Sequence, residues 1–210
     1  LANASHELRS PLARIRMGMG LLENGQPSPD ALAEMQRNIA ELDQLIDEIL
    51  LASRLDAGAD NVGTVEMVDL VGLAAEECAR VDAELQLDEG AAIPELPGIV
   101  RLLRRAVRNL LENARRYSEG PVQLSLSRGP GVVRVRVSDH GPGVPPAQRE
   151  RIFEPFYRLP GASERSGGVG LGLALVHSIA QRHGGSVRCE ARPDGARGAS
   201  FVLQLPLSTP

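Results

Sequence analysis

Ser5-His6-Glu7-Leu8-Arg9-Ser10-Pro11 is the stretch on which the reading of the whole chain turns. Leu1, Leu8, Ile15 and Leu22 recur every seven residues, with Leu12 and Met19 beside them. That spacing predicts a helix with a coiled-coil-like apolar seam. With Leu8 on the seam, His6 and Ser10 fall away from it, one turn apart on the wet face. A histidine side chain has an ordinary pKa of about 6.5, so near neutral pH one ring nitrogen keeps a free lone pair. Glu7 can accept the other ring N–H and raise the nucleophilicity. Pro11 removes the hydrogen bond to the Glu7 carbonyl and bends the helix one turn after the histidine. Taken alone, the heptapeptide is read equally well as an exposed helical histidine beside a chance proline.

The first helix is expected to run to residue 23 and to end at Asn24-Gly25, with Gln26-Pro27-Ser28-Pro29 as the turn. Ser28 as N-cap and Pro29 at the first helical position open a second helix. In it Leu32, Ile39 and Ile46 form one heptad row, and Met35, Leu42 and Ile49 another. Two amphipathic helices on a short loop make an antiparallel hairpin, which buries only part of its apolar surface, so two copies are expected to pair into a four-helix bundle. The first helix begins abruptly at Leu1, and the natural protein is expected to continue upstream.

A length of 210 residues suits one or two domains, and 42% hydrophobic residues is enough for a real core. No apolar run approaches the roughly 18 residues of a membrane span. Cys78 and Cys189 form no CxxC, which points away from a disulfide framework or a zinc site and fits a reducing cytoplasm. All 23 basic residues are Arg. Residues 1–60 hold 5 Arg against 10 Asp and Glu, whereas residues 61–210 hold 18 against 17. The acidic part and the near-neutral part read as different domains: a hairpin at 1–56, a small and polar linker at 57–66, and a second domain at 67–210.

In the second domain Asp69 is expected to cap a helix reaching about Leu85, and another helix runs from about Ile99 to Tyr117. Residues 121–127 and 132–138 alternate around Arg128-Gly129-Pro130-Gly131 as a β-hairpin. A short segment spans Ile152 to Tyr157, and a mobile stretch from Arg158 to Val169 is expected before a helix from about Gly170 to His183. Strands at 186–191 and 199–206 close around Asp194-Gly195. The pattern is α+β, with helices on one face of a mixed sheet.

Four blocks carry chemistry. Asn109 and Asn113 lie four apart on one helical face, and their carboxamide oxygens suit Mg²⁺ held jointly with phosphates. A surface helix with ordinary asparagines satisfies that block equally. Asp139-His140-Gly141-Pro142-Gly143 follows a strand, where a carboxylate can accept the exocyclic amine of adenine and glycines let the backbone come close. Phe153, Phe156 and Tyr157 crowd into five residues of an aromatic-poor chain and suggest a packed latch. Gly167-Gly168-Val169-Gly170-Leu171-Gly172-Leu173 opens a helix, whose free N–H groups and dipole favour phosphates. It lacks the preceding strand of a dinucleotide fold and the G-K-[ST] of a P-loop.

In this order, about 100 residues after His6, the blocks resemble the N, G1, F and G2 boxes of the two-component sensor histidine kinases, and His6-Glu7 to Pro11 resembles their H-box, with Ser10 in place of Thr or Asn. The resemblance covers essentially the whole chain. It implies a histidine-kinase/Hsp90-like (Bergerat-type) ATP-binding domain behind a phosphoacceptor hairpin. His6 would be autophosphorylated from ATP, with Glu7 as base, and the phosphoryl group passed to an aspartate of a response-regulator receiver domain. Ser10 would position water for dephosphorylation of that partner.

By the same resemblance Asn113 binds Mg²⁺, with Asn109 at the phosphates, and Tyr117 lies along the nucleotide. Asp139 reads adenine beside Gly141 and Gly143, and Gly168, Gly170, Leu171 and Gly172 line the phosphates and hinge the lid. Arg116 stands where the family usually has Lys, and Arg158 can compensate charge on the transferring phosphoryl group. His183 is read as structural, and His140 and His177 receive no catalytic role. The resemblance also implies a homodimer through residues 1–56 and a cytoplasmic fragment without membrane contact, from a parent anchored in the bacterial inner membrane. Hsp90-, MutL- and gyrase-type ATPases share the N and G boxes but not the hairpin, and an ATP-binding scaffold without transfer is a further alternative. The six Arg between 101 and 116 are read as a solvated helix face with one or two phosphate contacts rather than a nucleic-acid surface.

Overall fold

A computed structural model of the chain describes residues 12–17, 19–20, 29–57, 62–88, 92–160 and 169–208. His6, Glu7, Ser10 and Gly168 lie outside the described residues, as do most of the 24–29 turn and positions 58–61 of the linker. The chain divides into two compact units, Leu1–Ser53 and Arg54–Pro210. Among the described residues no helix is long and apolar enough to cross a membrane.

In the first unit residues 12–17 and 19–20 are helical, and helix α1 runs Pro29–Asp56. Its buried positions are Asn38 and Leu45, seven apart, Glu48, and Leu55 near its end, with Met35, Leu42 and Ile49 half-buried. The row Leu32, Ile39 and Ile46 stays 45%, 43% and 41% exposed. Helix α1 therefore has apolar side chains on more of its circumference than its own unit covers.

The second unit begins with β1 (Glu66–Val68), which pairs antiparallel with β3 (Leu96–Gly98) and places Val68 against Leu96, both buried. Helix α2 is Leu70–Val81. Asp69 caps it as expected, its Oδ1 accepting from the N–H groups of Val71 and Gly72, both at 3.0 Å. The expected extension to about Leu85 is wrong. Asp82 turns left-handed at φ 54°, the Ala83 N–H closes on the Cys78 carbonyl, and the chain enters strand β2, Glu84–Leu87. Helix α3 is Val100–Tyr117, followed by β4 (Gln123–Gly129) and β5 (Val132–Ser138). Helix α4 (Gly172–Arg182), β6 (Ser186–Glu190) and β7 (Ser200–Pro206) complete the unit.

The main sheet has the order β2-β4-β5-β7-β6 and is mixed, β2 lying parallel to β4 and the rest antiparallel. Its register explains the core. Leu124, Val137, Phe201 and Cys189 form one row across four strands, and Leu126, Val135, Leu203 and Val187 the next. All eight are buried and face the helices, among them Leu102, Leu103, Leu110 and Leu111 of α3. Arg134, Arg136 and Ser125, at the intervening positions, lie on the other face. Burial pushes the Cys78 thiol up to about 11 and the Cys189 thiol up to about 12, so both are inert packing groups at neutral pH.

Candidate nucleotide-binding site

Helix α3 brings the first block to the site. Its apolar face is fully buried, which fixes its rotation and leaves Asn109 tucked in and Asn113 half-buried. Asn109 does not stand free: its Nδ2 donates to the Gly172 carbonyl at 3.1 Å and ties α3 to the first residue of α4. Tyr117 is the last residue of α3 and half-buried, and Arg116 is exposed. The Arg stripe is solvated only in part, at Arg101, Arg115 and Arg116. Arg104 and Arg108 are engaged by Glu77 of α2, and Arg101 donates to the Val62 carbonyl.

Ser118, just past α3, links the first block to the second. Its backbone N–H donates to Ala114 as the helix ends, and its Oγ accepts from the His140 N–H at 3.0 Å. The loop after β5 is thereby held against the end of α3. A Cβ on Gly141 would sit 2.4 Å from the Tyr117 carbonyl, and one on Gly143 would sit 2.9 Å from the Gly198 carbonyl, with φ at +80°. Both positions require glycine for the approach.

Asp139 is 4% exposed. Its Oδ1 accepts from the Gly141 N–H at 2.8 Å and from the Ala199 N–H at 3.2 Å. Its second carboxylate oxygen accepts no hydrogen bond among the described residues, which leaves it for a ligand. Burial pushes the Asp139 carboxyl above the usual range, while those two amides and the charges of Arg192 and His140 pull it back. A buried carboxylate with one oxygen fixed and one open is suited to an amine donor.

The third and fourth blocks meet across the chain. The Phe156 N–H donates to the Gly170 carbonyl at 2.9 Å, with left-handed φ at both residues, 63° and 75°. A Cβ on Gly170 would press on the Phe156 and Tyr157 backbone at 3.0 Å. The aromatics do pack locally: the Arg151 guanidinium lies 4.5 Å from the Tyr157 ring centroid, and Phe153 lies 6.2 Å from His177 of α4. Arg158 follows this segment, half-buried. Leu171 is buried at the start of α4, whose first-turn N–H groups have no side-chain cap, so this end suits an anionic group.

Three contributors were not legible as site residues. Arg192 and Ala199 hold Asp139 from the β6–β7 loop, and Ser118 joins the two blocks. Each acts through a partner at least 20 residues away, and no local motif marks it. His183, read as structural, is so: its Nε2 accepts from the Ile99 N–H at 3.0 Å at the start of α3, where no side chain of the helix's own provides a cap.

The chain matches two family models. One, the histidine kinase-, DNA gyrase B- and HSP90-like ATPases, covers residues 98–209, and the other, the His kinase A phospho-acceptor domain, covers residues 1–58. Sensor protein RstB of Escherichia coli strain K12 is 36% identical over 97% of this chain and 47% of its own length. The chain thus spans about half the length of the curated relatives it matches. Among solved structures, the Acinetobacter baumannii histidine kinase AdeS superposes with a TM-score of 0.78 at 19% identity, over 96% of this chain and 98% of its own. Histidine kinase ThkA in complex with response regulator TrrA superposes at 0.73 with 21% identity, over 98% of this chain and 60% of that one, a likeness of fold. The phospho-acceptor model at the N-terminal end, followed by the ATPase fold with its four blocks in order, means that this chain belongs to the two-component sensor histidine kinases, of which it carries the catalytic core.

Proposed function

We propose that this chain is an ATP- and Mg²⁺-dependent protein histidine kinase, which transfers the γ-phosphoryl group of ATP to His6. The observation that carries the reading is Asp139, with one oxygen locked by two backbone amides and the other open, in the unit where Asn109 ties α3 to the start of α4. Its open oxygen takes the adenine amine, the start of α4 with Gly170, Leu171 and Gly172 faces the phosphates, and Tyr117 lines the nucleotide. Gly168 belongs to the same glycine stretch. The donor set fits Mg²⁺ only as a partner of the nucleotide. No cluster of three or more His, Cys, Asp or Glu is present among the described residues, and Asn113 offers a single hard oxygen. When bound, the ion compensates charge on the phosphate oxygens.

The His6 lone pair attacks the γ-phosphorus in line while the bond to the β,γ-bridging oxygen breaks. The proton on the other ring nitrogen passes to Glu7, and ADP leaves. Arg158 and Arg116 supply positive charge to the phosphoryl oxygens. The phosphoryl group then moves to an aspartate of a response-regulator receiver domain. The fold shared with ThkA, solved with a response regulator, supports that partner. The exposed row of Leu32, Ile39 and Ile46 supports a homodimer through residues 1–56. The family resemblance supports a parent anchored in the bacterial inner membrane, with this part in the cytoplasm.

The test is incubation with γ-labelled ATP and Mg²⁺. The parent chain is expected to take up label that is acid-labile and alkali-stable, as a phosphoramidate is, and His6→Gln none. Label persisting in His6→Gln would place the acceptor elsewhere. Nucleotide binding with no label on the parent would favour a scaffold.

A further inference from the structure

The β6–β7 loop carries a charged residue in an unusual setting. The Arg192 side chain is only 8% exposed, although it lies in a hairpin connection. Its Nε donates to Asp194 Oδ1 at 3.0 Å, and its Nη2 pairs with Asp194 Oδ2. The third guanidinium nitrogen, Nη1, donates to the backbone carbonyl of Asp139 at 2.9 Å and lies 3.3 Å from His140 Nδ1. The loop is built to hold this fork. The Gly195 N–H closes on the Arg192 carbonyl at 3.1 Å, and the Ala196 N–H on Asp194 Oδ1 at 3.1 Å. Gly198 faces the same carbonyl so closely that an added Cβ would sit 1.9 Å from it and 2.8 Å from Arg192 Cδ. One residue on, the Ala199 carbonyl accepts from the Asp139 N–H at 3.0 Å, and the Ala199 N–H donates to Asp139 Oδ1 at 3.2 Å.

The loop therefore grips Asp139 at its peptide and at one carboxylate oxygen, leaving the other oxygen open. We propose that Arg192, oriented by Asp194, is a positioning residue that sets the direction of the Asp139 carboxylate and thereby the preference for a purine bearing a 6-amino group. The proposal rests on the reading that Asp139 accepts the adenine amine. The guanidinium does not touch the base. It fixes the peptide from which the carboxylate projects, and the bidentate pair with Asp194 denies the fork any other orientation. Without it, a buried carbonyl loses its donor and Ala199 is left as the hold of this loop on Asp139.

The consequence is separable from general loosening, because ATP and inosine triphosphate differ at the purine 6-position, amino in one and oxo in the other. Equilibrium binding of both nucleotides, measured by competition with a fluorescent nucleotide on the full chain, is compared for the parent, Asp139→Asn, Arg192→Gln and Asp194→Asn. Thermal unfolding is recorded alongside. Arg192→Gln is expected to weaken ATP by about ten- to a hundredfold, the range of one charge-assisted hydrogen bond, and inosine triphosphate by less than about threefold. Asp194→Asn, a half-exposed position that tolerates substitution, should shift the ratio the same way by a smaller factor. Equal weakening of both nucleotides, or an unchanged ratio in Arg192→Gln and Asp194→Asn while Asp139→Asn collapses it, overturns the role given to Arg192. A ratio that Asp139→Asn leaves intact overturns the adenine reading and this proposal together.

Discussion

Ser10 and His183 are single side chains whose chemistry makes separate predictions. Ser10 stands four residues after His6, a spacing that would share one face of a helix, and under the proposed function its hydroxyl would hold a water for hydrolysis of a partner's phosphoryl group. Ser10→Ala is expected to keep autophosphorylation and lose dephosphorylation of the phosphorylated regulator; equal loss of both activities would reject the assignment. His183 is held in one neutral tautomer, Nδ1–H donating to the Ile179 carbonyl at 2.8 Å and Nε2 accepting from Ile99. Burial keeps its pKa below the ordinary histidine value, with Ile179 pulling up and Arg182 pushing down. The unfolded chain takes a proton as pH falls below about 6.5, while the folded ring resists it. The stability it contributes is thus whole above that pH and is lost as pH falls through the lowered folded value. Urea midpoints at pH 8 and pH 5.5 should fall more for the parent than for His183→Gln, whose amide oxygen can still accept from Ile99; parallel falls would exclude the ring. The spacing of His6 and Ser10 is a local feature, read from neighbouring residues. The partner of His183 lies 84 residues away, and nothing in the sequence pairs them.

Helix α2 announces itself by its Asp69 cap and α3 by its periodicity, but what joins them does not. Glu77 of α2 is 1% exposed and receives Arg108 through Nε at 2.8 Å and Nη2 at 2.9 Å, Arg104 at 3.2 Å and Arg80 at 3.7 Å. The Arg108 hydrogen bonds, foremost, hold the Glu77 carboxyl below the usual range against the opposing pull of burial. Two of the cations on α3 are themselves about one-third exposed, so they can rehydrate when the carboxylate is lost. Glu77→Gln is expected to cost about 1–3 kcal/mol in urea unfolding rather than the full penalty of a stranded buried charge. The double variant with Arg108→Gln should cost less than the two singles together, and additive losses would show that the pair is not coupled. Strands β1, β2 and β3 escaped the sequence for a different reason. They are three or four residues long, too short for an alternation to register, and β3 contains Pro97, which suits a short two-stranded ladder.

For the whole molecule, the decisive surface is the row of Leu32, Ile39 and Ile46 on α1, left more than two-fifths exposed. Under the proposed homodimer a second hairpin covers this row, so Ile39→Asp is expected to convert dimers to monomers, read by light scattering at micromolar concentration. A dimer surviving that change would move the interface elsewhere. The sequence by itself determined the order of the parts: an acidic N-terminal part with heptad spacing, then an α+β unit with four glycine-, asparagine- and aromatic-bearing blocks in series. It could do so because helix periodicity, strand alternation, Asp69 as cap and the glycines near phosphate-binding ends are local rules, written in neighbouring residues. Only the tertiary structure decided where α2 stops, what the arginines of α3 hold, and how Asp139 is aimed. Asp82 ends α2 in a left-handed turn that the β2–β4 pairing exploits. Arg104 and Arg108 turn to Glu77, and Arg192 and Ala199 reach Asp139 from more than 50 residues away. The contacts to Asp139 rest on the sheet register, which places β7 beside β5 and β6 beside β7, and register is fixed by the packing of the buried sheet face rather than by any single stretch of chain.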